Sequence, residues 1–185
     1  GQTLVMGNVG TNNTAQTIAM IQKAKDTGID ALLCIVPYYN KPNQEGCYAH
    51  FAAIAKATSL PFFIYNVPGR TVADMATATT LRLAEVPGIV GIKDATGDIA
   101  RGSDLIRRLR LLEKGSGKRF SIYSGNDDSA LALMAMGSDG VISVTANVAP
   151  KLMADMCRLA LAGDFAGARA VNDTLMQLHF DLFVE

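Results

Sequence analysis

A lysine closes the apolar run Ile89-Val90-Gly91-Ile92-Lys93-Asp94-Ala95, and the residues around it suit amine chemistry. Pro87-Gly88 opens the run and Thr96-Gly97-Asp98 closes it, which predicts a strand. Alternation puts Ile89, Gly91 and Lys93 on one face, and glycine leaves open space beside the amine. Burial disfavours the charged form of an amine and lowers its pKa. Enough neutral amine then exists near neutral pH to attack a ketone and form a Schiff base. On this strand alone, a lysine snorkelling from the strand end into solvent is the commoner arrangement. The neighbouring strands must change those odds.

Tyr65 also follows an apolar strand core, Pro61-Phe62-Phe63-Ile64. A phenol beside a Schiff-base lysine can relay protons during imine and carbon–carbon bond formation; a strand-end tyrosine can equally pack and bond to backbone. Arg70 comes after the Pro68-Gly69 turn, where a fixed guanidinium could grip a carboxylate bidentately, or simply be solvated. Tyr38 and Tyr39 end another strand. Consecutive residues point in different directions, so one can face a central site while the other meets a neighbouring subunit, or both can serve in packing. The Gly7–Thr14 loop bears glycine before a helix, as phosphate sites do, but it lacks the GxxxxGK[ST] and GxGxxG patterns. Capping by Asn12, Asn13 or Thr14 fits it better. Asn126-Asp127-Asp128 invites a metal reading, yet consecutive acids opening a helix more often serve its N-terminus, so no metal is expected.

Composition bounds these readings. The chain has 185 residues, 49% of them hydrophobic, with 17 basic and 17 acidic side chains that cancel. That is one ordinary core with no basic run, which argues against nucleic acid or an anionic membrane as partner. No apolar segment is long enough to span a bilayer, and the beginning lacks a signal-peptide pattern. Cys34, Cys47 and Cys157 are odd in number and far apart, so they read as reduced thiols of a cytoplasmic protein. His50 and His179 are too few for a histidine-rich metal site.

The elements that must position these residues follow one rhythm. Strands are predicted at Thr3–Met6, Ala31–Val36, Pro61–Tyr65, Ile89–Ala95, Phe120–Ser124 and Gly140–Val144, each followed by a helix. The helices are predicted from the residues after Thr14 to Thr27, over Gln44–Ala57, Ala76–Ala84, Ile99–Leu112, Ser129–Met136 and Pro150–Ala162, and a last one over Phe165–Phe183. Continuously apolar strands alternating with helices imply a parallel sheet. Because polar and glycine-rich features sit after every strand, the α/β class is narrowed to a (β/α)8 TIM barrel rather than a doubly wound sheet. Six units do not close such a barrel, so about two N-terminal units and some C-terminal helix are expected to be missing. Residues 1–148 then read as barrel strands three to eight, and 149–185 as the last barrel helix and the start of a C-terminal helical region. On that barrel Lys93 and Tyr65 occupy adjacent staves, about 5 Å apart.

Together, Tyr65-Asn66-Val67-Pro68-Gly69-Arg70-Thr71, Gly91-Ile92-Lys93-Asp94-Ala95-Thr96-Gly97, Ser124-Gly125-Asn126-Asp127 and Gly140-Val141-Ile142-Ser143-Val144 resemble the dihydrodipicolinate synthases. These are pyruvate-dependent class I aldolases of the N-acetylneuraminate lyase superfamily, built on (β/α)8 barrels. The likeness covers essentially the whole chain. The lysine motif alone would mark only the superfamily; arginine after Val67-Pro68-Gly69 favours the synthases over sialic-acid lyases and keto-sugar-acid aldolases. A non-catalytic barrel that binds a small acid is a third reading, and it has no need of an imine-forming lysine.

The resemblance implies that Lys93 forms a Schiff base with pyruvate. Tyr65 would relay protons together with Tyr39 of an adjacent subunit and a threonine outside this chain. Arg70 would bind the carboxylate of aspartate semialdehyde, while the backbone at Gly125 and Ile142 lines the pyruvate pocket. The product, 4-hydroxy-tetrahydrodipicolinate, feeds diaminopimelate and lysine biosynthesis. No cofactor is implied, a homotetramer is, and lysine is a feedback effector in many members. Asn12 and Tyr38 match that effector site, but Gln16 stands where lysine-sensitive members commonly carry glutamate. An amide cannot neutralise the effector's ammonium. Lysine inhibition of the complete enzyme is therefore expected to be weak or absent; an inhibition constant in the low micromolar range would overturn this.

Overall fold

The computed structural model describes residues 3–184. Residues 1, 2 and 185, the outermost positions of the two ranges expected above, lie outside the described residues. Six strands alternate with helices: β1 Met6–Asn8, α1 Thr14–Ala24, β2 Ala31–Ile35, α2 Gln44–Lys56, β3 Phe62–Asn66, α3 Pro68–Thr71, α4 Thr77–Ala84, β4 Ile89–Asp94, α5 Ile99–Ser116, β5 Ser121–Ser124, α6 Asp127–Ala135, β6 Gly140–Val141, α7 Pro150–Leu161 and α8 Phe165–Asp181. The sheet order is the chain order, β1-β2-β3-β4-β5-β6. Parallel register is set by Met6↔Ala31, Leu32↔Phe62 and Tyr123↔Gly140. A doubly wound sheet reverses its strand order at a switch point. This one never does, which is the order of a (β/α)8 barrel.

Most predicted boundaries hold to within two residues, and the exceptions have causes. The first strand is displaced, from Thr3–Met6 to Met6–Asn8. Its partner β2 starts only at Ala31, and Val5 is already tied to the residue before it, donating to the Asp30 carboxylate at 2.8 Å and accepting from Asp30 N–H at 2.9 Å. Among the described residues, none before Val5 joins the ladder. The turn bearing Arg70 winds into the short helix α3, closed by Val72 in a left-handed conformation at φ 58°. The sixth strand is only Gly140–Val141, and Thr145–Asn147 form a 3-10 turn instead of continuing the loop. Helix α5 runs on to Ser116 because only Gly117, at φ 72°, ends it.

The chain forms two compact units. One takes residues up to Ile92 together with Arg108–Ser121, and the other takes Lys93–Arg107 and the chain from Ile122 onward. The first unit is centred on Phe51, Ile54, Phe62, Ile64, Leu83, Ile89 and Leu109, all inaccessible to solvent. Each such side chain contributes about 1.5–3 kcal/mol by leaving water. The Phe51 and Phe62 rings stack at 6.4 Å between centroids. Asn13 and Asn43 cap α1 and α2 by accepting from the N–H groups of Gln16 and Gly46, each cap contributing about 1 kcal/mol. The second unit packs α6, α7 and α8 through Ala130, Met134, Met153, Met156, Ala168 and Leu175.

One buried histidine gives the first unit a pH-dependent stability. His50 is buried on α2, with Nδ1 2.8 Å from the Thr14 hydroxyl at the start of α1. Burial lowers its pKa from 6.5 to about 4. The unfolded imidazole takes up a proton near pH 6.5 and the folded one only near pH 4, so between those values the unfolded state binds more protons. Stability is thus complete above the upper value and falls as the pH drops towards the lower one. His50→Gln is expected to flatten the decline in melting temperature between pH 6.5 and about 4, as followed by circular dichroism.

Candidate active site

In the second unit, three strand ends bring chemistry together. Lys93 is the fifth residue of β4 and only 8% exposed. The Gly125 N–H donates to the Asp94 carbonyl at 2.7 Å, and the Ile142 N–H donates to the Ser124 carbonyl at 2.9 Å. These bonds carry the ladder past the ends of β5 and β6 and place Gly125 beside the lysine. A methyl on Gly125 would lie 3.1 Å from Lys93 Cε and 2.6 Å from Ala95 Cβ, so this position has to be glycine for the lysine chain to pass. Burial lowers the Lys93 pKa below its usual 10.5, and the Asp127 carboxylate opposes that shift. A lysine of this kind holds more neutral amine at a given pH than a solvated one, as attack on a carbonyl requires.

In the first unit, Tyr65 sits opposite Ile35 in the β2–β3 register, and its carbonyl accepts the Val36 N–H at 2.9 Å. Burial raises the Tyr65 phenol pKa and the Arg70 charge partly offsets this. Arg70 itself is exposed within α3. Tyr38 is 39% exposed and Tyr39 84%, and Tyr39 is held at φ 70°. Its N–H donates to the Thr71 carbonyl at 3.3 Å, which ties the tyrosine loop to α3. Asn12 donates to the Asn40 side chain at 3.2 Å, while the Asn40 amide donates to the Asn12 carbonyl at 2.8 Å. Gln16 is exposed, with its backbone N–H given to the Asn13 cap.

The Gly7–Thr14 loop is a capping loop, as the sequence suggested. Val9 N–H goes to the Leu33 carbonyl, Thr11 N–H to Thr17 Oγ1, Asn13 N–H to Thr11 Oγ1 and Gln16 N–H to Asn13 Oδ1. Those donors are engaged within the protein. Among the described residues no group of three or more His, Cys, Asp or Glu side chains is placed to hold a metal ion.

The motifs of both units are those of one family. The model of the dihydrodipicolinate synthetase family matches residues 1–185. The chain belongs to this family. The 4-hydroxy-tetrahydrodipicolinate synthase of Nitrosomonas eutropha is 55% identical over 185 residues, which is all of this chain and 61% of that protein. That of Nitrosospira multiformis is 57% identical, covering 59% of its length. The chloride-inhibited dihydrodipicolinate synthase of Acinetobacter baumannii, crystallised with pyruvate, superposes with a TM-score of 0.93 at 49% identity, over all of this chain and 61% of that one. The chain thus spans about three-fifths of the length of the curated relatives it matches.

Asp127 escaped the sequence reading. It stands in the first turn of its helix, as the sequence suggests, but its Oδ2 also accepts the N–H groups of Val144 at 2.9 Å and Thr145 at 3.0 Å, a role the sequence reading does not give it. A signal was present: Asp127, Ala130, Leu133 and Met134 share the buried face of α6, so an acid stands on an apolar stripe. The fit around Gly125 gives a direct test. Gly125→Ala is expected to cost about 1–3 kcal/mol of stability, because Ala95 Cβ cannot swing away. It should also slow acylation of Lys93, read by denaturant titration and by mass spectrometry of the labelled protein.

Proposed function

We propose that the complete protein condenses pyruvate with aspartate semialdehyde to 4-hydroxy-tetrahydrodipicolinate, a lyase-class step of diaminopimelate and lysine biosynthesis in the cytoplasm. The observation that carries this reading is the buried amine of Lys93 at the end of β4, with a side-chain-free residue beside it. The pyruvate in the related Acinetobacter baumannii enzyme supports the choice of first substrate. Among the described residues no helix is long and apolar enough to cross a membrane. Strands β1–β6 would be strands three to eight of the barrel, with residues from 149 onward forming its last helix and the start of a C-terminal helical region.

The neutral Lys93 amine attacks C2 of pyruvate, and the carbinolamine loses water to give the iminium. Loss of a methyl proton gives the enamine, whose carbon attacks the aldehyde of the second substrate. That substrate's own amine then adds to C2, closes the ring and expels Lys93. One water is released per condensation. No further electron sink is required, because the iminium supplies it.

Tyr65 is proposed as the proton relay. Gly91 faces the ring of Phe63, against which a Cβ would collide. Tyr65 follows Phe63 by two residues, so alternation along β3 puts its phenol on the strand face that carries Phe63. Arg70 would bind the semialdehyde's carboxylate, and the Gly125 and Ile142 backbone would line the pyruvate site. Tyr39 is a strained, exposed aromatic, the kind of residue that a subunit interface covers; this supports its role as a relay from a neighbouring subunit in a homotetramer. Asn12, Gln16 and Tyr38 would form a lysine effector site of weak affinity.

The test is to incubate the complete protein with pyruvate, reduce with borohydride and map the adduct by mass spectrometry. A reduced adduct on Lys93, absent from Lys93→Ala, is expected, with turnover falling by more than about a thousandfold in that variant. Adding aspartate semialdehyde should consume pyruvate. A folded protein whose Lys93 stays unmodified would overturn the mechanism.

A further inference from the structure

We propose that Asp127 is a positioning residue of this reaction: its carboxylate clamps the segment Ile142–Thr145 onto the turn Ser124–Asp127, whose Gly125 packs against Lys93, and keeps a buried negative charge in that turn. The proposal rests on the reading of Lys93 as the imine-forming residue.

Asp127 is only 3% exposed, and a buried charge needs compensation. Asn126 holds the cap position of its helix without a side-chain cap bond, and the exposed Asp128 is a second acid of the first turn, so Asp127 is not the only carboxylate at that N-terminus. Its Oδ2 accepts from Val144 and Thr145, while Oδ1 is buried without a hydrogen-bond partner. A buried carboxylate oxygen left without a partner calls for an explanation, and a role in the site is one.

The surroundings indicate that role. The segment Ile142–Thr145 is held at one end by Ser124, which accepts the Ile142 N–H, and at the other by Asp127. Both anchors belong to the turn Ser124–Asp127, which is stiffened by the Ser124 hydroxyl: it donates to the Asn126 carbonyl at 2.8 Å and accepts the Asn126 N–H at 3.2 Å. Gly125, in the middle of that turn, is the residue against which Lys93 Cε packs. One four-residue turn therefore positions both the lysine chain and the β6 segment. The Thr145 hydroxyl lies 2.8 Å from Nδ1 of the buried His179 on α8, so the clamp is backed by the helical layer.

The titratable groups that sense Asp127 are Lys93 and the Cys157 thiol of α7; Asp128 is its exposed neighbour, and His179 reaches it only through Thr145. For Lys93 the carboxylate counteracts burial. It keeps the amine from becoming too weak a base and stabilises the cationic iminium that forms from it.

The test compares wild type, Asp127→Asn and Asp128→Asn in the complete protein. The pH midpoint of Lys93 labelling by acetic anhydride is read by mass spectrometry, without pyruvate. Asp127→Asn is expected to lower that midpoint by roughly half a pH unit or more, with Asp128→Asn unchanged. In borohydride trapping, the pyruvate concentration for half-maximal adduct should rise about tenfold in Asp127→Asn, because the iminium loses its counter-charge. A midpoint equal to wild type overturns the proposal, even if turnover falls, since a purely structural clamp would not move it. Should Asp127→Asn not fold, Asp127→Ser keeps an acceptor for the two N–H groups and is read in the same way. Absence of any pyruvate adduct in wild type would instead sink the Schiff-base reading, and the labelling midpoint would still decide whether Asp127 sets the amine's proton affinity.

Discussion

Removing an amine from water at the end of β4 is the constraint to which the rest of the second unit answers. Lys93 could end a strand in solvent at little cost. Buried instead, it must be given room, a counter-charge and rigid walls. Gly125 supplies the room by having no side chain, and the bond from its N–H to the Asp94 carbonyl keeps it in place. Asp127 supplies the charge, and the Met-rich packing of α6, α7 and α8 supplies rigidity behind it.

The first unit meets a different demand, which is to hold loops in conformations that an isolated chain avoids. Tyr39 at φ 70°, Lys41 at φ 48° and Val72 at φ 58° are left-handed residues without glycine's freedom. They persist because the tyrosine loop and α3 share a backbone bond, Tyr39 N–H to the Thr71 carbonyl, and because Thr71 is buried with its hydroxyl bonded to Val67 and Ala73. The strain is confined to the stretches that carry Tyr38, Tyr39 and Arg70.

The fold was legible because it rests on repetition. Apolar strands followed by turn residues and then by amphipathic helices recur six times, and their boundaries shifted where a partner strand began late, as at β1, or where only a later glycine ended a helix, as at α5. The motif lysine and its glycine neighbours were legible for the same reason: alternation along a strand decides which side chains share a face. Asp127 was not. Its neighbours in sequence pointed to helix capping, while its actual partners, Val144 and Thr145, lie seventeen and eighteen residues later.

The amino-acid sequence by itself determined the βα rhythm, the family, and the candidate residues Lys93, Tyr65 and Arg70, because those depend on local periodicity and on motifs written in adjacent positions. Only the tertiary structure decided that Lys93 is buried, that Gly125 makes room for it, and that the carboxylate of Asp127 accepts from the turn after β6. Burial, close approach and charge pairing are set by which distant segments the parallel ladder brings side by side, and no local pattern encodes that distance.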